Sequence, residues 1–400
     1  MPSVCFYFQV HQPYRLRRYH VFEIGNNRDY FDHEKNQAIM QKVAKKCYIP
    51  ANKLILDLIN KYDGKFKVSY SITGVALDQF EEYSPEVTDT FIDLVETGCV
   101  ELLDETYYHS LAFLYSEDEF KEQVKLHRRK MKELFNYKPR IFRNTELVYN
   151  NRLAYLAEEM GYDGVLAEGA DYILGWRSPN FLYRPKTTKK IKLLLKNYRL
   201  SDDIAFRFSE RSWESWPLSA DKFASWINAA NGNGNVINLF MDYETLGEHQ
   251  WEDTGIFEFM RHLPEEILKH PDNNFMTPSE VVDSYEPMGD LDIHNVVSWA
   301  DIERDLSAWL GNKMQQSAIE KLYELEGDVK KGGDEKILES WRKMQITDHF
   351  YYMCTKWFND GDVHKYFNAY DRPHDSFIAF MNVLSDFRMR LENKMVSMPA

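Results

Sequence analysis

The 400-residue chain has few cysteines and no long uninterrupted hydrophobic segment. Its four cysteines (Cys5, Cys47, Cys99 and Cys354) lie far apart without a C-x-x-C pair, which argues against a zinc site or a disulfide framework. No stretch approaches the roughly eighteen apolar residues that a membrane-spanning helix needs. The first residues, MPSVCFYFQV, lack the basic start and the cleavage pattern of a signal peptide. The sequence therefore predicts a cytoplasmic protein with free thiols and no membrane partner.

Positive charge is also scarce, because 49 Lys and Arg stand against 63 Asp and Glu, giving a formal net charge of −14. An acidic protein repels the phosphates of nucleic acids and of anionic lipids, so we expect neither as a partner. No GxGxxG or Walker loop follows a predicted strand, so nucleotide binding has no support and no cofactor is expected. The high hydrophobic content (44%) instead predicts a globular protein with a large core.

Seven short apolar runs occur in the first 245 residues, and helical patterns separate them. Alternating strands and helices predict an α/β fold whose parallel sheet has right-handed crossovers. Seven such units match the scale of a (β/α)7 barrel, one strand short of the common eight, and an open doubly wound sheet is the structural alternative. The runs are Val4–Val10, Phe66–Ile72, Val100–Leu103, Arg140–Phe142, Gly164–Leu166, Lys192–Leu195 and Val236–Met241.

The pattern changes to helices alone beyond about residue 285. Apolar stripes of helical length cover Leu306–Leu325, Lys336–Trp357 and Ser376–Met395. We therefore predict two domains, the barrel over residues 1–284 and an all-helical domain over residues 285–400. The helical domain is expected to pack on the barrel and help close its cleft.

Polar side chains follow four of the predicted strands, at the end where parallel α/β folds bind their ligands. One histidine and several carboxylates at a common mouth are typical of glycoside hydrolysis. That reaction uses a carboxylate nucleophile and a carboxylic acid, about 5 to 5.5 Å apart when configuration is retained. The strand-end residues are Gln9, His11 and Gln12, then Glu101, Asp104 and Glu105, then Arg143, Asn144 and Glu146, and finally Asp242, Glu244 and Glu248.

Five segments resemble, in order, the motifs of glycoside hydrolase family 57, the α-amylase and 4-α-glucanotransferase family. They are FQVHQPYRL (8–16), TGCVELLDETYYHSL (97–111), RIFRNTELVYN (140–150), NLFMDYETLGEH (238–249) and TDHFYYMCTKW (347–357). The resemblance covers nearly the whole chain and implies a (β/α)7 barrel followed by a helical domain. It also implies a retaining hydrolase of α-1,4-glucans such as starch, glycogen or maltodextrin, acting through a glycosyl-enzyme intermediate.

The resemblance assigns the two key carboxylates, with Glu146 as the nucleophile and Asp242 as the acid/base. Arg143 or His11 could hold down the pKa of Glu146, and burial of Asp242 between apolar neighbours should raise its pKa. Family members often carry a tryptophan shortly before the nucleophile, whereas this chain has Arg143 there, so the sugar specificity stays open.

A further set of residues is predicted to bind the sugar. Trp299 belongs to it because SWADIERDLSAWLGN (298–312) also resembles family sequence, from the start of the helical domain. Glu244 and Glu248 are expected instead to lie on a solvated loop face. The predicted substrate-binding residues are His11, Gln12, Glu101, Asp104, Arg143, Trp299, Asp348 and His349.

Three other functions remain as alternatives. A 4-α-glucanotransferase or glucan branching enzyme would use the same residues. A metal-dependent polysaccharide deacetylase or α-mannosidase-like enzyme would need H-x-D or H-x-x-x-H ligands, but the first strand ends H-Q-P, so no metal is expected. A non-catalytic glucan-binding relative would not need both Glu146 and Asp242.

Overall fold

The computed structural model describes residues 2–332, 334–356 and 369–397, so Trp357 at the end of the fifth motif lies outside the described residues. Each of the seven apolar runs forms a strand, as predicted, and two further strands have two residues each. In chain order the strands are β1 Ser3–Val10, β2 Val68–Ile72, β3 Val100–Leu102, β4 Ile141–Arg143, β5 Gly164–Glu168, β6 Arg184–Pro185, β7 Lys192–Lys196, β8 Val236–Asp242 and β9 Asp290–Leu291.

The long strands form two parallel sheets. One has the order β3-β2-β1-β8, and in it Tyr7 of β1 is level with Ser69 of β2 and Phe240 of β8. The other has the order β4-β5-β7. The parallel α/β class is therefore confirmed, but the strands are divided between two sheets and do not show one continuous barrel.

The two sheets contact each other along both pairs of edges. Asp104, just after β3, pairs with Phe142 of β4 in a parallel bridge, and its backbone N–H donates to the carbonyl of Ile141 at 3.0 Å. On the other side, the backbone N–H of Asn197 after β7 donates to the carbonyl of Asn238 in β8 at 2.9 Å. The carboxyl ends of strands from both sheets are thereby brought to the same side.

Helices connect the strands and make up most of the described chain beyond Ser307. The α-helices of the described residues are His33–Val43, Ile49–Lys61, Gly74–Tyr83, Pro85–Glu96, Ala112–Tyr115, Glu117–Phe135, Asn151–Glu159, Asp171–Leu174, Tyr198–Ala205, Ala220–Ala229, Ile256–Leu268, Pro278–Ser284, Ser307–Leu310, Lys313–Tyr323, Glu326–Gly332, Glu335–Lys343, Thr347–Tyr351 and Pro373–Ser397. Short 3-10 turns occupy Val21–Glu23, Thr145–Leu147, Tyr243–Thr245 and Glu252–Thr254, and a π-helical turn occupies Ala44–Tyr48. No helix in the described ranges is both long and apolar enough to cross a bilayer.

The C-terminal helices share an apolar core with the second sheet. Trp309 and Trp341 are fully buried there, in the same cluster as Phe142 of β4 and Val165 of β5. The segment after residue 284 is not purely helical, however, because β9 pairs with β6 before the helices begin. The boundary predicted at residue 285 stays a prediction.

Asp104 lies at the junction of the two sheets, and three hydrogen-bond donors contact its side chain. Its buried carboxylate accepts hydrogen bonds from His127 Nδ1, from Arg128 Nε at 3.1 Å and from the hydroxyl of Tyr162. The other ring nitrogen of His127 donates to the carbonyl of Ile72 at 2.8 Å. Both ring nitrogens therefore face acceptors, and burial, which lowers the pKa of His127, is outweighed by Asp104, which raises it.

We predict that Asp104→Asn lowers the free energy of unfolding by about 3 kcal/mol, because it removes the buried carboxylate that accepts from His127, Arg128 and Tyr162. The matched control is Asp163→Asn, since Asp163 pairs with Arg140 where both side chains are partly exposed. The control should lose less than about 1 kcal/mol. Chemical denaturation monitored by circular dichroism measures both, and equal losses would contradict a structural role for Asp104.

Candidate active site

Glu146 lies in the turn that follows β4, and N–H donors hold both of its carboxylate oxygens. Oε1 accepts from Nε2 of His109 at 3.0 Å, and Oε2 accepts from the indole Nε1 of Trp299 at 2.7 Å. The backbone of Glu146 has φ 57° and ψ 24°, a left-handed conformation that costs a non-glycine residue about 1 kcal/mol or more. Such strain is typical of functional sites, where the surrounding structure fixes a side chain in place.

His109 is a buried cation between two carboxylates. Its Nδ1 faces Oε2 of Glu105 at 3.3 Å while its Nε2 faces Glu146. Burial opposes protonation, but the bonds to Glu105 and Glu146 outweigh it and raise the pKa of His109 to about 9. Glu105 is held in turn by Nε2 of Gln9 at 3.0 Å. His109 therefore carries a positive charge against Glu146 at neutral pH.

The charges around Glu146 keep it ionised. Burial would raise its pKa, but the bond from His109, the positive charges of His109 and Arg143 and the bond from Trp299 together lower it. The side chain remains 18% exposed. Glu146 is thus an anionic carboxylate that an incoming molecule can still reach.

Asp242 is the last residue of β8, level with Gln9 of β1, and it is only partly exposed. Burial, followed by the negative charge of Glu146, raises its pKa to about 6, although Arg143, Lys196 and His109 act in the opposite direction. The two carboxylates therefore interact electrostatically, and their pKa values are shifted in opposite directions.

His11 and Asp348 join this group from opposite ends of the chain. Nδ1 of His11 bonds to the hydroxyl of Thr73 at 2.9 Å, and its Nε2 bonds to Asp348 at 3.0 Å. The ring of His11 stacks on that of His109, with centroids 3.9 Å apart. Burial and the charge of His109 lower the pKa of His11, so the stacked pair is one neutral and one charged ring. Asp348 lies in the helix Thr347–Tyr351, so the helical region contributes to the site.

Arg143 lies beneath Trp299 and does not face solvent. It is fully buried, its guanidinium is centred 4.8 Å from the indole ring, and its Nη1 is 3.8 Å from Glu105. Arg143 and Trp299 were both predicted to bind sugar, and the structure brings both together with Glu146. Arg143 therefore contributes a buried positive charge next to Trp299 and Glu105.

Four other residues that were predicted to bind sugar are hydrogen-bonded to residues of the same chain. Each is buried, so a sugar would have to displace those partners to reach it. Glu101 accepts from the backbone of Ser279, Asp104 bonds to His127, Gln12 donates to Glu244 at 3.4 Å, and His349 lies 3.2 Å from the carbonyl of Lys343.

The expectation that Glu244 and Glu248 lie on a solvated face is wrong, because both are buried. The turn Tyr243–Thr245 folds back onto the helical residues before Ile49, where Tyr48 bonds to Glu244. Burial and the charge of Asp242 raise the pKa of Glu244 to about 8. Glu248 forms an ion pair with Lys42.

Several residues of the site were not identified from the sequence. His109 lies near the end of the second motif, and only its contacts distinguish it from neighbouring polar residues. Glu168 and Lys196 are the last residues of β5 and β7, so reading those two strand ends as closely as the others would have found them. In the described part of the chain, no group of three or more His, Cys, Asp or Glu is arranged to hold a metal ion.

The sequence profile described as Glycosyl hydrolase family 57 matches residues 5–294. The chain belongs to glycosyl hydrolase family 57. It is 48% identical over 397 residues to a Methanocaldococcus jannaschii protein named "Putative alpha-amylase", covering 96% of this chain and 84% of the relative. Family membership identifies the chain as an enzyme of the glycoside hydrolase class.

Two solved structures are similar to this chain in fold. A branching enzyme from Pyrococcus horikoshii superposes with a TM-score of 0.67 at 14% identity, covering 92% of this chain and 87% of that one. A 4-α-glucanotransferase from Thermococcus litoralis gives 0.60 at 17% identity and covers 88% of this chain. This family 57 chain spans only 51% of that glucanotransferase.

We predict that His109 keeps both ring protons up to a pH of about 9, whereas His249 and His349 stay neutral down to about 4 because burial lowers their pKa. Ring-nitrogen NMR of the ¹⁵N-histidine-labelled enzyme measures all three. In Glu146→Gln one of the two anions is gone, so the pKa of His109 should fall. An unchanged titration in that variant would contradict the ion pair.

Proposed function

We propose that this family 57 enzyme is a retaining hydrolase of α-1,4-glucans, with Glu146 as nucleophile and Asp242 as acid/base. The proposal is supported by two carboxylates at strand ends, of which Glu146 is held at both oxygens by N–H donors while Asp242 ends β8. Their surroundings shift their pKa values in opposite directions. Glu146 is ionised and can attack, while Asp242, with a pKa of about 6, holds its proton in mildly acidic solution.

In the first step, Asp242 gives its proton to the glycosidic oxygen as Glu146 attacks the anomeric carbon. The bond to the leaving sugar breaks, and an ester forms between Glu146 and the glucosyl unit. This ester removes the negative charge that helped to raise the pKa of Asp242. Asp242 is then a stronger acid and stays ionised. It can accept a proton from water, which attacks the anomeric carbon and releases Glu146.

The proposal also requires the two sheets to act as one seven-stranded barrel. Glu146 follows β4 of one sheet, whereas Asp242 ends β8 of the other. The contacts of β3 with β4 and of β7 with β8 support this arrangement, since they join the two sheets at both pairs of edges. A separation of about 5 to 5.5 Å between the carboxyl groups is expected for retention.

The α-glucan substrate is proposed from the names of the relatives together with the accessible groups of the site. His11 and Asp348 are 10% and 21% exposed, and their imidazole and carboxylate can bind sugar hydroxyls next to Glu146. The named relatives include α-amylases, a glucanotransferase and a branching enzyme. Transfer to a second glucan is therefore the alternative, because a sugar hydroxyl can replace water in the second step.

The nucleophile is tested by azide rescue of Glu146→Gly with an α-maltotriosyl fluoride substrate, whose leaving group needs no acid. Glycine accepts the left-handed backbone of this position without strain. We expect activity to fall on the order of 10⁴-fold or more, and azide to restore turnover with a β-glycosyl azide as product. Azide then attacks directly from the face that Glu146 had occupied.

Asp242→Gly should instead yield the α-glycosyl azide, because the glycosyl-enzyme still forms and azide intercepts it. Loss of the acid/base should reduce hydrolysis of maltooligosaccharides by about 10²- to 10⁴-fold. The control, Glu286→Gly, removes a 91% exposed glutamate and should keep full activity without an azide product. Equal anomers from the two site variants would contradict the assignment.

Hydrolysis and transfer are separated by incubating the wild-type enzyme with maltoheptaose and resolving the products by size. Our proposal predicts products no longer than the substrate, with one new reducing end for each bond cleaved. Chains longer than maltoheptaose, formed without a net gain of reducing ends, would establish the transferase. New branch points detected by NMR would establish a branching enzyme.

A further inference from the structure

A segment from the start of the C-terminal region wraps around the turn that carries Glu146. Val297 and Tyr149 exchange two backbone hydrogen bonds of 2.9 Å each, which makes an antiparallel bridge. Two residues further on, the backbone N–H of Trp299 donates to the carbonyl of Glu146 at 3.2 Å. The indole of Trp299 then donates to the carboxylate of the same residue. Trp299 therefore holds both the backbone and the side chain of Glu146.

The indole of Trp299 is itself fixed by cations. The guanidinium of Arg143 lies 4.8 Å from the ring centre, and Nζ of Lys196 lies 5.3 Å from it. Attraction between a cation and an aromatic face contributes most where water is excluded, and both cations are buried. The position of the ring, and with it the direction of its N–H, is thus set by its neighbours.

Arg304 fixes the backbone of Trp299 from the other side. Its Nη1 donates to the carbonyl of Trp299 at 3.1 Å, and the same guanidinium lies 3.3 Å from Glu168 and 3.3 Å from Asp202. Glu168 ends β5, and Asp202 lies in the helix after β7, where it also pairs with Lys196 at 3.0 Å. Arg304 therefore ties Trp299 to the end of β5 and to the helix after β7.

We propose that Arg304 is a positioning residue that acts through Trp299 to hold the carboxylate of Glu146 ready for attack. The contacts run from Arg304 to Trp299 and from Trp299 to Glu146. This inference rests on the proposed function, because it takes Glu146 to be the nucleophile.

The physical reason is the rotational freedom of a carboxylate. His109 holds one oxygen of Glu146, but a single hydrogen bond leaves the group free to turn about its last torsion. The second donor, from Trp299, fixes the plane of the carboxylate. That donor stays in place only while the turn of residues 299–304 keeps its shape, and two residues of this turn, Asp301 and Arg304, have positive φ. The bonds of Arg304 to Glu168 and Asp202 hold such a turn together.

The test is a double-mutant cycle of Trp299→Phe and Arg304→Met, measured as kcat/KM against pH. Trp299→Phe keeps a ring but removes the N–H, so kcat/KM should fall about 10- to 100-fold. The acidic limb of the curve of kcat/KM against pH should move up by about one to two pH units, because Glu146 loses a hydrogen-bond donor that lowers its pKa. Arg304→Met should shift the limb in the same direction by less.

The cycle decides whether Arg304 acts through Trp299. If it does, adding Arg304→Met to Trp299→Phe should change kcat/KM less than about twofold further. The inference would be overturned if each substitution lowered kcat/KM by its own factor and the two factors multiplied in the double variant. An acidic limb of the pH profile that stays at the wild-type pH in both single variants would overturn it as well. Arg304→Lys, which keeps the charge, should recover part of the loss and covers the case in which Arg304→Met fails to fold.

Two controls match the substitutions away from the site. Arg152→Met removes an arginine whose partner is the surface residue Glu117, and Trp226→Phe alters a partly buried tryptophan packed near Trp213. Neither should shift the acidic limb.

Azide rescue of Glu146→Gly separates the role of Arg304 from the proposed role of Glu146. If the β-azide forms but the cycle is multiplicative, only the role of Arg304 is wrong, whereas absence of the β-azide contradicts the proposed nucleophile itself.

Discussion

The site depends on one carboxylate held at both oxygens. His109 and Trp299 donate to Glu146 from different parts of the chain, and the second donor lies 153 residues away in sequence. Two fixed donors do more than orient the group, because they also favour its ionised form. The strained backbone of Glu146 is tolerated since the surrounding bonds over-determine its position.

The electrostatics of the site follow from that arrangement. His109 is charged because it lies between Glu105 and Glu146, and its charge in turn disfavours protonation of the stacked ring of His11. Asp242 is partly buried near an anionic Glu146, so its pKa rises to about 6. Each shift thus has charged neighbours among its causes besides burial, and a change at Glu146 would propagate to both histidines and to Asp242. In the proposed mechanism, this coupling is what changes the role of Asp242 between the two steps.

The architecture explains why residues so distant in sequence can meet. Strand ends from two parallel sheets face one side, and the C-terminal region contributes Trp299, Arg304 and Asp348 to the same place. The helices beyond Ser307 share a core with the second sheet, which makes the position of Asp348 a consequence of apolar packing. The site is therefore assembled by the whole fold and not by the strands alone.

Hydrophobic periodicity and strand ends are local patterns, and they predict the seven strands, their parallel class and the positions of Glu146, Asp242 and His11. The sequence does not show which side chains these residues contact. Asp104 and Glu101 looked like Glu146 in the sequence, yet their carboxylates are taken up by His127 and by Ser279. The charge on His109 and the bond of Arg304 to Trp299 become evident in the folded protein. Burial and hydrogen bonding between distant residues depend on how the helices and strands pack. The spacing of residues along one chain does not show that packing, because the residues in contact are far apart in the sequence.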